Sequence, residues 1–129
     1  MRLLYIGDIM GPLGVRVVSG VLPKLKETEH IDVVAAQAEN VTEGKGISQA
    51  DFQRLKDIGI DFFTGGNHSF GQPEIADTLN DPNQPIIRPA NYPKGTEGLG
   101  YKYLKTSGGK LLFISLLGQI VGKDAATPV

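Results

Sequence analysis

Residues 59–81 read GIDFFTGGNHSFGQPEIADTLND. An apolar run over 60–64 stops at two glycines, Asn67 and His68 stand in the turn, and 72–81, with Pro73 near its start, predicts a short helix. The same strand–turn–helix unit recurs on the N-terminal side. IDVVAAQA (31–38) predicts a strand and ENVTEGKG (39–46) its loop. Ser48 then N-caps the helix QADFQRLKDIG, which Gly59 ends. Asp51, at the third helical position, is shorter than the Glu of a capping box and matches that motif only approximately. Further back, RLLYI (2–6) predicts a first strand ended by Gly7-Asp8. From Pro12 to about Glu27, Val15, Val18, Val21, Leu22 and Leu25 recur at helical spacing, with a kink expected at Pro23. Toward the C-terminus, QPIIRP (84–89) predicts a fourth strand and 90–100 a loop. YKYLKT and KLLFISLL, joined by Ser107-Gly108-Gly109, predict a hairpin. Alternation of this kind predicts an α/β fold whose first strands are parallel and buried on both faces.

Bulk composition narrows the class. The chain has 129 residues, 40% of them hydrophobic, and a mean hydropathy of −0.09, which suits one domain with a packed core. A formal net charge of −1 offers no basic groove for nucleic acid and no patch for an anionic membrane. The absence of cysteine excludes disulfides, thiolate metal sites and cysteine nucleophiles. MRLLYIGD is too short an apolar start for a signal peptide, and no run approaches the length of a membrane span, so the expected location is the cytoplasm.

In open α/β sheets, ligands bind beyond the carboxyl ends of the strands. The first predicted strand delivers Asp8 there, the second Glu39 and Asn40, and the third Asn67 and His68. Each residue has a plainer role open to it. Asp8 and Asn67 can cap helices, Glu39 and Asn40 can be turn residues, and His68 can be a satisfied polar group. Together, two carboxylates, two amides and an imidazole on one edge suit hard or borderline divalent cations, and a central Glu39 could bridge two of them. Other motifs fail. EGKG lacks the first glycine of a P-loop and has Gly46 where Ser or Thr is needed. GDIMGPLG spaces its glycines unlike G-x-G-x-x-G, and no G-x-S-x-G is present. A nucleotide-binding Rossmann-like module, with Glu39 on a ribose, is the alternative, although it leaves Asn67 and His68 without a task. An inactive structural module is the third possibility. His30, in KETEHID, reads as solvated surface.

GDIMG, AENVTEGKGI, GGNHSF and IIRPANYPKGTEGLGY, in that order, resemble the YmdB-like branch of the calcineurin-like metallophosphoesterases. The wider superfamily shows D-x-H, GDxxD and GNHE. Met10, Glu39 and Ser69 depart from those motifs in the way the YmdB-like branch does. The resemblance implies an α/β/β/α sandwich and a phosphodiesterase acting on 2′,3′-cyclic nucleotides or related phosphodiesters. It implies two divalent metal ions, iron or manganese first and zinc or magnesium as alternatives. Asp8, Glu39, Asn40 and Asn67 are then the metal ligands, with Glu39 bridging. The nucleophile is a hydroxide shared by the metals, and His68 is the proton donor. A homo-oligomer is also implied. Members of the family are about twice this length and complete the metal shells with later histidines. This chain has none after His68, so residues 1–129 are expected to be the N-terminal part of one metallophosphoesterase domain, weakly active or inactive alone.

Overall fold

A computed structural model of the protein describes residues 1–118; the polar tail, 122–129, lies outside the described residues. The elements run β1 (Leu3–Ile6), α1 (Gly11–Thr28), β2 (Val33–Gln37), α2 (Gln49–Asp57), β3 (Phe62–Thr64), a 3₁₀ turn (Pro73–Ile75), α3 (Ala76–Asn80), β4 (Ile86–Ile87), β5 (Tyr101–Thr106) and β6 (Gly109–Ile114). The first four strands form a parallel sheet in the order β1-β2-β3-β4, and β5 and β6 form an antiparallel hairpin. The fold is α/β, as the alternation predicts.

Strand order that advances one step at a time through right-handed crossovers puts every helix on the same face of the sheet. Alternate strand residues show it. Val34, Ala36, Phe63 and Ile86 pack with Val15 and Leu22 of α1, Phe52 and Leu55 of α2, and Leu79 of α3. Their strand neighbours Ala35, Phe62 and Ile87 point the other way and meet Leu104 and Phe113 of the hairpin. Phe62 and Phe113 stack with ring centroids 4.2 Å apart, an arrangement worth about 0.5–1.5 kcal/mol beyond its area. Helices, parallel sheet and hairpin are therefore three successive layers. β1 lies at one edge of the sheet, and Leu4 and Ile6 line an apolar groove with Val17, Val18, Val21, Leu22 and Leu25 of α1.

Several local expectations need adjusting. α1 is one continuous element through Pro23, whose side chain is exposed on the helix surface. Val21 is 53% exposed and faces the groove rather than the core. The third helix opens as a 3₁₀ turn at Pro73 and becomes α-helical only from Ala76. β4 pairs over two residues, because beyond Ile87 the N–H of Arg88 turns to the carbonyl of Leu99. Ser48 caps α2 as expected, accepting from the Asp51 N–H at 3.1 Å. Asp51 is too short to return the bond directly, so the Thr42 hydroxyl bridges the gap. It accepts from the Ser48 N–H at 2.8 Å and donates to Asp51 at 2.6 Å. Lys102 is buried, and its ammonium donates to the carbonyls of Asp81 and Gln84. Burial lowers its pKa, and Asp81 acts in the opposite direction.

Candidate active site at the carboxyl edge of the sheet

The three strand ends meet through direct hydrogen bonds. Asn40 Nδ2 donates to Asp8 Oδ2 at 2.8 Å, and Asn40 Oδ1 lies 2.6 Å from His68 Nδ1. The His68 backbone N–H donates to Glu39 Oε2 at 3.0 Å, and Gln37 Nε2 donates to Glu39 Oε1 at 2.6 Å. An ionised carboxylate only accepts, so Asp8 fixes which end of the Asn40 amide carries hydrogen. The amide oxygen then faces His68, and the bond between them requires the proton to be on Nδ1. Asp8 thereby sets the His68 tautomer from across β1 and β2, leaving Nε2 as the ring nitrogen able to exchange a proton with a ligand.

Neither plain capping role is what the structure shows. The N-cap of α1 is Met10, without a side-chain cap, and Asp8 is engaged by Asn40. The N-cap of the 3₁₀ turn is Gln72, so neither Asn67 nor His68 caps the element that follows. Asn67 sits beside His68 in the same turn with its side chain exposed. His30 is exposed, at φ +53°, just past α1. The Gly11 N–H, which a dinucleotide module would offer to phosphate, is bonded to the carbonyl of Asn40 at 2.8 Å.

The turn bearing Asn67 and His68 is held by its own Ser69 and by groups from distant parts of the chain. The Gly66 carbonyl accepts from the hydroxyls of Ser69 at 2.7 Å and Tyr92 at 2.9 Å, and the Gly65 carbonyl accepts from Ser115 at 2.7 Å. A Cβ on Gly66 would lie 2.1–2.3 Å from the Glu39 carboxylate atoms, so only glycine lets the turn close on Glu39. Arg88 anchors the loop that carries Tyr92 by donating to the carbonyls of Pro89, Thr96 and Glu97, with its guanidinium 6.0 Å from the Tyr92 ring centroid. Burial lowers the Arg88 pKa, and Tyr92 offsets this in part. Gln37, Ser69, Tyr92 and Ser115 are missing from the residues picked out by sequence. The signal for Gln37 is a polar side chain in an otherwise apolar strand; Ser69 bonds a carbonyl three residues away within its own turn, and Tyr92 and Ser115 depend on long-range packing.

The donor chemistry fits a divalent cation in one respect and is incomplete in another. Asp8, Glu39, Asn40 and Asn67 offer carboxylate and amide oxygens at one edge, as hard cations prefer. Two of the four are neutral amides, and among the described residues no group of three His, Asp or Glu side chains could hold a metal ion by itself.

A family model described as YmdB-like protein matches residues 4–128. The chain belongs to the YmdB-like family. A relative from Bacillus subtilis (strain 168), named 2′,3′-cyclic-nucleotide 2′-phosphodiesterase, is 39% identical over 120 residues, covering 92% of this chain and 45% of its own length. A crystal structure of a hypothetical protein from Thermus thermophilus matches with a TM-score of 0.89 and 36% identity, over 99% of this chain and 49% of that one. A Mycoplasma pneumoniae structure described as a novel phosphatase matches with a TM-score of 0.86 and 29% identity, over 95% of this chain and 44% of that one. The chain thus spans less than half the length of the curated relatives it matches. The segments AENVTEGKGI (38–47) and GGNHSF (65–70) are the two turns that Glu39 and His68 join. No helix among the described residues is long and apolar enough to cross a membrane.

Proposed function

We propose that this chain carries part of the active site of a metal-dependent phosphodiesterase acting on 2′,3′-cyclic nucleotides or related phosphodiesters. The observation that carries it is the hydrogen-bonded run from Asp8 through Asn40 to His68, with Glu39 on the backbone of the same turn. The name of the Bacillus relative supports the substrate class. Asp8, Glu39, Asn40 and Asn67 are the residues that would hold two divalent cations, iron or manganese in preference to zinc or magnesium, with Glu39 shared. Such cations supply an activated water nucleophile and offset charge on the phosphoryl oxygens.

The protein's own groups do the rest. Asn40 holds the imidazole of His68 by Nδ1, so the proton given to the leaving group comes from Nε2 of the imidazolium form. A ribose oxygen leaving phosphorus is a poor leaving group as an alkoxide, and protonation by His68 as the P–O bond breaks makes it an alcohol. Asp8 keeps Asn40 from turning its NH₂ toward the imidazole. Ser69, Tyr92 and Ser115 keep the Gly65-Gly66 turn, and hence His68, in register with Glu39. The test is hydrolysis of 2′,3′-cyclic AMP by the protein made from its complete reading frame. Chelator treatment is expected to abolish turnover, and manganese or ferrous ion to restore it. Turnover unaffected by full metal removal would overturn the proposal.

A further inference from the structure

β2 contains a side chain that its packing does not explain. Val33, Val34, Ala35 and Ala36 are buried and apolar, and Gln37 closes the strand at the edge where the site lies. Register places Gln37 opposite Thr64 of β3, on the sheet face that also carries Ala35 and Phe62. Tyr5, opposite Ala35 on β1, reaches the same spot. The Thr64 hydroxyl donates to Gln37 Oε1 at 2.8 Å, the Tyr5 hydroxyl lies 3.1 Å from that oxygen, and the two hydroxyls are 2.7 Å apart. Thr64 is only 5% exposed, Gln37 is half-buried and Tyr5 is exposed at the rim, so the cluster is partly buried, and its buried hydroxyl would be costly if left unsatisfied.

We propose that Gln37 is a positioning residue for Glu39, oriented by the Thr64 and Tyr5 hydroxyls, so that β1, β2 and β3 jointly fix the carboxylate presented to a divalent cation. This rests on the assignment of Glu39 as a metal ligand made above. Two hydroxyl groups at the oxygen end of the Gln37 amide leave its Nε2 to face Glu39 Oε1, at 2.6 Å. The reversed amide would set one bare oxygen against another. Glu39 Oε2 takes the His68 N–H, so each carboxylate oxygen holds one N–H donor. A carboxylate oxygen has two lone pairs, and one on each remains for a cation. An amide suits this task because it orients the carboxylate without neutralising it. A lysine or arginine in its place would compete with the cation for the charge.

The test uses manganese alone, titrated calorimetrically into the protein made from its complete reading frame. Partners of this outer kind commonly contribute 10–100-fold in metal affinity, so Gln37→Leu is expected to weaken manganese binding by about that factor. Thr64→Val should weaken it in the same direction but less, and Thr64→Ser, which restores the hydroxyl, should recover it. Tyr5 is 48% exposed, so Tyr5→Phe tests the relay without threatening the core, with a small loss expected. In a Glu39→Gln background, Gln37→Leu should cause no further loss. A purely structural role predicts lower melting temperatures with unchanged manganese affinity, and that result would overturn the proposal. So would an equal loss with and without the Glu39 carboxylate. Should Gln37→Leu fail to fold, unchanged affinity in both Thr64→Val and Tyr5→Phe would overturn it as well. An unsubstituted protein that binds no manganese would instead sink the metal assignment itself, and this proposal with it.

Discussion

Replacing His68 with alanine is expected to leave metal content and folding intact while lowering turnover of a ribose-leaving phosphodiester by about 10²–10⁴-fold, the usual contribution of a general acid. The expectation follows from the imidazole being held at Nδ1 by Asn40, which leaves Nε2 for the proton transfer. The bond that His68 makes to Glu39 uses its backbone N–H, which alanine keeps, so the carboxylate should stay in place. The loss should depend on the leaving group. A nitrophenolate is stable as an anion and needs little protonation, so the defect on a nitrophenyl phosphodiester should shrink markedly. An equal loss on both substrates would mean that His68 positions phosphate instead. Full activity on both would reduce it to a packing residue.

Glu39→Gln is expected to empty at least one metal site and to bring hydrolysis close to background. The substitution keeps size and removes charge. It also replaces one accepting oxygen by an NH₂ group, which cannot accept from both Gln37 Nε2 and the His68 N–H as the carboxylate does. One of these donors loses its partner, and a bridging carboxylate is lost at the same time. Elemental analysis of the protein made from its complete reading frame measures this directly. If Glu39 were a turn residue alone, the same change would shift stability by roughly the 1 kcal/mol scale of a local hydrogen bond and leave metal content as it was.

Why these residues were legible in the sequence, and others were not, has a physical basis. Asp8, Glu39, Asn40, Asn67 and His68 each stand directly after an apolar run, and parallel strands deliver such positions to one edge whatever the finer geometry. The burial of the first strands on both faces was legible for a similar reason, since β2 and β3 lack the polar face that a solvent-exposed strand would show. What could not be read depends on register and long-range packing. Gln37, Thr64 and Tyr5 come together only because β1, β2 and β3 pair with Tyr5 opposite Ala35 and Gln37 opposite Thr64; a slip of one residue would send their side chains to the helix face. Tyr92 and Ser115 lie 26 and 50 residues from the carbonyls they hold. The exposure of Val21 was not legible because helical spacing marks an apolar stripe without saying which part of it the sheet covers. The role of Asp8 is the clearest gain from the structure. A carboxylate before a helix usually suggests a cap, and here it instead fixes an amide that fixes an imidazole.

The central claim is that Asp8, Glu39, Asn40 and Asn67 form one metal-binding edge. Anomalous diffraction from crystals of the protein made from its complete reading frame, grown with manganese and measured above and below the manganese absorption edge, tests it most directly. The account predicts two manganese peaks among these four side chains, with Glu39 in contact with both. Manganese-dependent hydrolysis in solution, with no anomalous peak at this edge of the sheet, would contradict it.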